Sequence, residues 1–284
     1  AAVLTHDGFL SGNSYHSGLN FYGDGQRLWP VSPNHLTLGM VYNFAAEMIG
    51  LGLVHGAGKL MGLAPYGQPA FFDESFVGNE TDIRARFDTD HWTAWSEHCR
   101  TEGNKRGYDM TALGDPGRVT EPINADIAAS TQLLFEETYL AAVRALARML
   151  TAGGEGTTNL CLSGGTALNC PSNSRIWREG PFENVFIEPT CDDGGLAIGA
   201  ALHVHHNLLD NPLPQTIAYA TPYLGRHYSE EDVEDALARA DGISWSRPED
   251  ATTAAAEDLL ADKVIAWFEG GSEAGPRALG HRSI

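Results

Sequence analysis

Aspartates follow two apolar segments that have the composition of strands. Asp7 comes after the apolar run that begins at Ala2, and Asp192 and Asp193 come after the run 184–188. Because the carboxyl ends of parallel strands line the ligand crevice of an α/β sheet, we expect Asp7 and Asp193 to converge on one divalent cation. The alternative is structural, since an aspartate beside a glycine also caps a turn or a helix. Two carboxylates do not complete a coordination shell, so the pattern predicts half of a metal site.

A glycine pair, Gly164-Gly165, joins an apolar segment to a predicted helix in the sequence LSGGTALN. Glycine lets a ligand approach the backbone, and the free N–H groups at a helix start attract an anion such as a phosphate. Close packing of a strand against a helix would select the same residues. The segment therefore favours a phosphate site while leaving a purely structural turn open.

Two further segments carry cations beside glycines. Lys59 lies in GKLMGLAPYG, which lacks the glycine and the hydroxyl residue that a P-loop requires. We interpret it as a glycine-rich turn, in which Lys59 either meets a phosphate as a point charge or is solvated. In GGSEAGPRALGHRS, Pro276 predicts a helix start close to Arg277 and Arg282. That position suits a phosphate grip, with two ordinary surface arginines as the alternative.

Hydrophobic periodicity gives the elements that must position these residues. Alternation and turn signals predict strands over 2–8, 13–22, 27–32, 159–163, 184–188 and 264–270, the fourth and fifth of them buried. The helical period predicts helices over 36–51, 124–152, 166–177, 195–206, 230–240 and 253–262. Asp24-Gly25 is a hairpin turn signal, and Ser229 is a predicted helix cap. Residues 70–120 are polar and rich in charge, and we interpret them as an irregular insertion.

The order of these elements indicates the fold class. Three hairpin-linked strands, a helix and then two strand–helix units are typical of an α/β RNase H-like lobe, as in the actin-like folds of sugar kinases and Hsp70. We assign this lobe to residues 1–210, a linker with three prolines to 211–225, and the start of a second α/β domain to 226–284.

Composition excludes several classes of protein. The chain has 284 residues and a formal net charge of −19, so binding to nucleic acid or to anionic lipid is disfavoured. Its apolar stretches are too short to cross a membrane. The four cysteines form no CxxC pair, which favours a reducing, cytoplasmic setting.

Five segments in fixed order are more specific together than any one of them. They are HDG at 6–8, GKLMGLAPYG at 58–67, LSGGTALN at 162–169, DDGGLAIGAAL at 192–202 and EAGPRALGHRSI at 273–284. This order resembles the carbamoyltransferases of the nodulation and antibiotic-tailoring family. The resemblance covers nearly the whole chain except residues 70–120.

The resemblance implies a two-lobed, actin-like N-terminal domain similar to the tRNA threonylcarbamoyl-transfer protein, followed by a YrdC-like domain. It also implies an enzyme that makes carbamoyl-adenylate from ATP and carbamoyl phosphate. The carbamoyl group then passes to a hydroxyl, or sometimes an amine, of a small metabolite. A metal, with iron suspected, is held in such enzymes by paired histidines and by aspartates.

The family's functional residues map onto this chain by position. Asp7 and Asp193 match the metal-binding aspartates, and Arg277 and Arg282 match residues that serve carbamoyl phosphate. The remaining matches belong to the nucleotide site: Gly164, Gly165, Asn169 and Lys59.

The family's paired-histidine motif and its catalytic histidine do not occur in this sequence. We expect both upstream of Ala1, and we therefore expect the chain to be an internal fragment that is inactive alone. Two alternatives stay open: a tRNA-modifying relative of the same fold, and a non-catalytic nucleotide-binding scaffold. The sequence also leaves open whether the protein forms a homo-oligomer.

Overall fold

Short apolar runs form a five-stranded sheet in the N-terminal part of the chain. The strands are β1 Ala2–Thr5, β2 Gly18–Gly23, β3 Leu28–Asn34, β4 Asn159–Ser163 and β5 Asn184–Ile187. They lie in the order β3-β2-β1-β4-β5. β1 and β3 pair antiparallel with β2, whereas β4 lies parallel to both β1 and β5. This mixed sheet confirms the α/β class and the adjacency of the two predicted parallel strands.

The computed structural model describes residues 1–7, 18–34, 38–77, 89–213 and 221–284. The chain divides into two compact units, Ala1–Asp193 and Gly194–Ile284. Parts of the predicted strand 13–22 and the predicted linker 211–225 lie outside the described residues. The assignment of domains to 1–210 and 226–284 stays a prediction.

A long central helix organises the first unit. The helices of this unit are α1 Leu38–Met48, α2 Ala57–Leu63, α3 Thr89–Lys105, α4 Pro122–Ala152 and α5 Cys170–Glu179. α4 contacts α1, α2, α5 and β1, and it contributes much of the apolar core. Pro122 stands in its first turn, where the missing N–H costs nothing, and Gly153 follows its last residue.

The interpretation of residues 70–120 as an irregular insertion is wrong. They contain α3, and the side chains of Phe71, Trp95 and Cys99 are buried in the main core. Trp95 is fully buried and packs edge-on against Phe76, with ring centroids 5.2 Å apart. The segment looked irregular because a few large side chains, rather than a continuous apolar stripe, attach it to the core.

Among the described residues, one face of the sheet centre is more deeply buried than the other. Leu4 of β1 and Leu162 of β4 are buried, whereas Val3 and Cys161 on the other face are half-buried. The prediction that the strand at 184–188 is buried is wrong, since Phe186 of β5 is 52% exposed. β5 lies at the end of the strand order, which leaves it fewer neighbours than β1 and β4.

The second unit carries mostly exposed side chains. Its elements are α6 Gly195–Leu202, a π-helical turn His203–Leu208, α7 Glu230–Ala238, α8 Ala251–Leu260 and the two-residue strands β6 Trp267–Phe268 and β7 Arg282–Ser283. Ser229 caps α7, as predicted, and the structure adds that Asp232 completes a reciprocal capping box with it. The predicted strand 264–270 is reduced to β6. Among the described residues, none of the helices has the length and apolarity to span a membrane.

Candidate functional site

Three chain segments meet where the parallel strands end. Gly164 N donates a hydrogen bond to Cys191 O over 2.7 Å, which ties the end of β4 to the segment after β5. Thr166 Oγ1 donates to His6 O over 3.1 Å, which ties the same turn to the end of β1. The carboxyl edge of the parallel strands is therefore one connected surface, as a ligand crevice in an α/β sheet requires.

Gly164 is required by the backbone itself. Its φ of +91° is one that side chains rarely adopt, and a Cβ here would lie 1.7 Å from His6 O. A structural requirement therefore accounts for Gly164, although its close neighbour is the end of β1 and not a helix, as the structural alternative had it. Gly164 lets the turn pass against the end of β1.

Gly165 contacts an acidic side chain, whereas Gly164 contacts backbone atoms. Its N–H donates to Asp7 Oδ2 over 3.1 Å, and a Cβ on it would lie 3.1 Å from Asp7 Oδ1. The glycine therefore lets an acidic side chain lie directly against the turn. This contact joins two residues that the sequence placed in separate roles, the predicted metal ligand Asp7 and the predicted nucleotide-binding Gly165.

Asp7 and Asp193 do not by themselves make a complete metal centre. Asp193 lies exposed in the turn before α6, and Asp7 is engaged by the N–H of Gly165. Within the described part of the chain, no group of three or more histidine, cysteine, aspartate or glutamate side chains is arranged to hold a metal ion. Metal binding by Asp7 and Asp193 stays a prediction.

Asn169 connects the glycine turn to α5. Its Oδ1 accepts from Ser172 N over 3.1 Å, which caps α5, and its side chain is buried. The helix predicted over 166–177 is divided at this residue into a 3₁₀ turn, Gly165–Leu168, and α5. The second partner of Asn169 is Gln132 of α4, which sequence analysis missed because 37 positions separate the two residues.

Lys59 lies in the first turn of α2, not in the glycine-rich turn that we predicted. Its side chain is exposed, and none of the described residues forms a hydrogen bond or ion pair with it. A run of helix-forming residues between the glycines (KLM) accounts for the difference. Nucleotide binding by Lys59 stays a prediction.

The end of the same motif docks onto the start of α4. A Cβ on Gly67 would lie 2.0 Å from Ala125 O, so this close approach also requires glycine. Gln68 N donates to Asp126 Oδ1 over 2.7 Å, and Tyr108 OH donates to Asp126 Oδ2. Burial and the Asp126 carboxylate raise the pKa of Tyr108 to about 12. The end of the GLAPYG segment therefore serves to pack the chain against the start of α4.

One carboxylate organises the loop 273–281 of the second unit. Glu273 Oε1 accepts from the N–H groups of Leu279, His281 and Arg282 over 2.8–3.0 Å. Desolvation raises the pKa of Glu273, but the backbone donors outweigh it, and the pKa falls to about 2. The loop is therefore closed on an ionised side chain.

The predicted helix start at Pro276 is wrong. Residues 273–281 contain bends only, because Glu273 binds the N–H groups that follow, and Gly275 and Gly280 have φ values of +96° and +101°. Arg277 is half-buried in this loop.

Arg282 lies in β7 instead of a helix start. Its guanidinium donates to the carbonyl oxygens of Glu269, Gly270 and His281 and lies 3.6 Å from the centroid of the Phe268 ring. Much of its hydrogen-bonding capacity is therefore already used within the unit. Binding of carbamoyl phosphate by Arg277 and Arg282 stays a prediction.

Comparison with known proteins identifies the family. The family model described as carbamoyltransferase N-terminus matches residues 1–202, and the model described as carbamoyltransferase C-terminus matches residues 256–284. An uncharacterized protein of Synechocystis sp. is 36% identical over 100% of this chain and 46% of its own length.

Two named relatives agree with these matches. Nodulation protein NolO of Bradyrhizobium diazoefficiens is 31% identical over 96% of this chain and 48% of its own length. The 3'-hydroxymethylcephem-O-carbamoyltransferase of Streptomyces clavuligerus is 32% identical over 81% of this chain and 39% of its own length. The chain spans less than half the length of these relatives. By both its N-terminal and its C-terminal matches, the chain belongs to the carbamoyltransferase family.

Proposed function

We propose that the whole protein is an ATP-dependent carbamoyltransferase and that residues 1–193 supply one RNase H-like lobe of an actin-like nucleotide site. The donor is carbamoyl phosphate, the intermediate is carbamoyl-adenylate, and the acceptor is a hydroxyl or an amine of a small metabolite. The observation that carries the proposal is the contact of Asp7 with the Gly164-Gly165 turn at the carboxyl edge of β1 and β4.

The sheet order supports the RNase H-like assignment. An antiparallel meander, β3-β2-β1, continued on the other side of β1 by two parallel strands is the topology that we expected from the sequence. The glycine turn that we propose to meet the nucleotide lies at its carboxyl edge, where the N–H groups of Gly164 and Gly165 donate to Cys191 O and to Asp7 Oδ2.

The chemistry of transfer is a displacement at the carbamoyl carbon. The acceptor oxygen or nitrogen bonds to this carbon while its bond to the oxygen of the α-phosphate breaks. AMP leaves, and the acceptor loses its proton. The adenylate itself forms after water cleaves carbamoyl phosphate into carbamate and inorganic phosphate. A carbamate oxygen then bonds to the α-phosphorus of ATP, and pyrophosphate leaves. The name of the Streptomyces relative specifies a hydroxymethyl acceptor, which supports a hydroxyl acceptor here.

A small acceptor fits this chain better than tRNA does. The formal net charge is −19, which repels a polyanion over the Debye length of about 8 Å at physiological salt.

The test is a reaction of the full-length protein with radiolabelled carbamoyl phosphate, ATP and a panel of hydroxyl and amine metabolites, with tRNA as one further acceptor. We expect a labelled small product together with AMP and pyrophosphate in equal amounts. Label in tRNA would favour the tRNA-modifying alternative. No label in any acceptor and no AMP, with ATP still bound, would favour the scaffold.

A matched pair of variants ties the activity to the site. Asp7→Asn keeps an acceptor for the N–H of Gly165 but removes the charge, and we expect carbamoyl transfer to fall at least a hundredfold. Asp24→Asn is the control, because Asp24 accepts from two backbone N–H groups in the β2–β3 hairpin, outside the site. It should leave activity unchanged.

A further inference from the structure

A buried pair of side-chain amides joins α4 to the turn after β4. Gln132 Nε2 donates to Asn169 Oδ1 over 3.0 Å, and Asn169 Nδ2 donates to Gln132 Oε1 over 3.1 Å. Gln132 is 7% exposed and Asn169 is 6% exposed. Rotation of either amide by 180° would place donor against donor, so each fixes the plane of the other.

Gln132 is itself held from two sides. Its Nε2 also donates to Glu136 Oε1 over 2.7 Å, and its Oε1 also accepts from Tyr42 OH of α1. All four hydrogen-bonding positions of its side-chain amide are therefore occupied. A side chain satisfied in this way has one orientation and no capacity left for a ligand.

Asn169 uses three of the four hydrogen-bonding positions of its side-chain amide. Its Oδ1 accepts from Gln132 and from Ser172 N, and one N–H of Nδ2 donates to Gln132. The second N–H of Nδ2 has no acceptor among the described residues. Buried donors are nearly always paired. This N–H is therefore the one group of the amide pair that is available to donate to a ligand.

We propose that Gln132 is a positioning residue that orients Asn169 so that its second N–H is presented to an oxygen of the bound nucleotide. Gln132 makes no contact with the nucleotide and acts through Asn169 alone. The inference rests on the proposed function, since it takes the turn at Gly164-Gly165 as the nucleotide site. The acceptor is a ribose hydroxyl or a phosphate oxygen, both of which accept from an amide.

The variant that tests the proposal is Gln132→Met, which keeps the length of the side chain and removes its hydrogen bonds. The control is Thr131→Val, one position earlier on α4. Thr131 is fully buried as well, and its hydroxyl has no partner among the described residues. Both variants are made in the full-length protein, and their melting temperatures are compared with that of the wild type.

The expected result separates binding from chemistry. Gln132→Met should raise the KM for ATP about tenfold, leave kcat and the KM for carbamoyl phosphate within twofold, and add nothing when Asn169 is already alanine. Thr131→Val should change none of these values. Should Gln132→Met not fold, Asn169→Asp provides the second test, because it keeps the cap on α5 and removes the donor. It should raise the KM for ATP to a similar extent.

Calorimetric titration with adenosine, ADP and ATP shows which part of the nucleotide accepts the hydrogen bond from Asn169. Weaker binding of all three ligands to Gln132→Met places the acceptor on the nucleoside, whereas weaker binding of ADP and ATP alone places it on a phosphate. Unchanged affinity for all three would overturn the inference. So would effects of Gln132→Met and Asn169→Ala that simply add, since residues that act through each other are not additive. A wild-type protein that binds no ATP would instead refute the proposed function.

Discussion

Replacement of Gly164 by alanine is the sharpest test of the geometry at the strand ends. Its φ of +91° and ψ of 165° fall in a region that is essentially restricted to glycine, which costs another residue about 1–3 kcal/mol. The added Cβ would also lie 1.7 Å from His6 O, so the end of β1 and the turn must separate. Overpacking of this kind costs about 1–3 kcal/mol.

Together the two terms give a loss of about 4 kcal/mol in the free energy of unfolding of the unit Ala1–Asp193. For a unit of this size we expect the melting temperature to fall by roughly 8–16 °C. The control is Gly25→Ala, because Gly25 has a similar φ of +95° but nothing within 4 Å of the added Cβ. It should cost only about 1 kcal/mol, from backbone strain alone.

The assay is thermal and urea unfolding of the chain, followed by circular dichroism, with both variants purified in parallel. The control accounts for the strain that any positive φ causes, so the remaining difference reports the extended ψ of Gly164 together with the collision with His6. If Gly164→Ala unfolds at the same temperature as Gly25→Ala, the close approach of the β4 turn to β1 is refuted.

Three further predictions follow from other contacts. Gly165→Ala, whose Cβ would lie 3.1 Å from Asp7 Oδ1, should leave the melting temperature within about 2 °C but weaken ATP binding at least tenfold; unchanged binding would separate this turn from the nucleotide. Trp95→Ala should cost about 3–5 kcal/mol in urea unfolding, whereas Trp177→Ala, at a side chain that is 64% exposed, should cost less than about 0.5 kcal/mol. Equal effects would show that α3 is not part of the core. Because the pKa of Glu273 is lowered from 4.5 to about 2, its ionised form contributes stability above pH 4.5 that is lost as the pH falls through 2. Tryptophan fluorescence between pH 7 and pH 2 should show this loss in the wild type and in Glu249→Gln, but Glu273→Gln should lack it.

Several elements could be predicted from neighbouring residues in the sequence alone. The apolar runs at β1 and β4, the Asp24-Gly25 turn and the cap at Ser229 need only neighbouring residues, and the structure confirms each of them. α3 was missed because its attachment depends on Trp95 and on aromatic partners elsewhere in the chain.

The candidate site was predictable in composition but not in geometry. Sequence analysis placed Asp7 and the glycine pair at strand ends, yet their hydrogen bond spans 158 positions and depends on the parallel pairing of β1 with β4. The two glycines look alike in sequence, although Gly164 is needed by the backbone and Gly165 accommodates a carboxylate. Gln132 carries no motif at all, and only the fold brings it to Asn169.

The central position of β1 has a consequence for folding during synthesis. β1 pairs with β2 as soon as the hairpin emerges, but its other edge has to wait for β4, which begins at Asn159. At synthesis rates of about 5–20 residues per second, roughly 8–30 s pass before that partner is made. During this time, a short apolar strand edge with unpaired N–H and C=O groups is exposed to other chains. We therefore expect nascent chains that stall between β3 and β4 to be the species that aggregates and the one that engages chaperones.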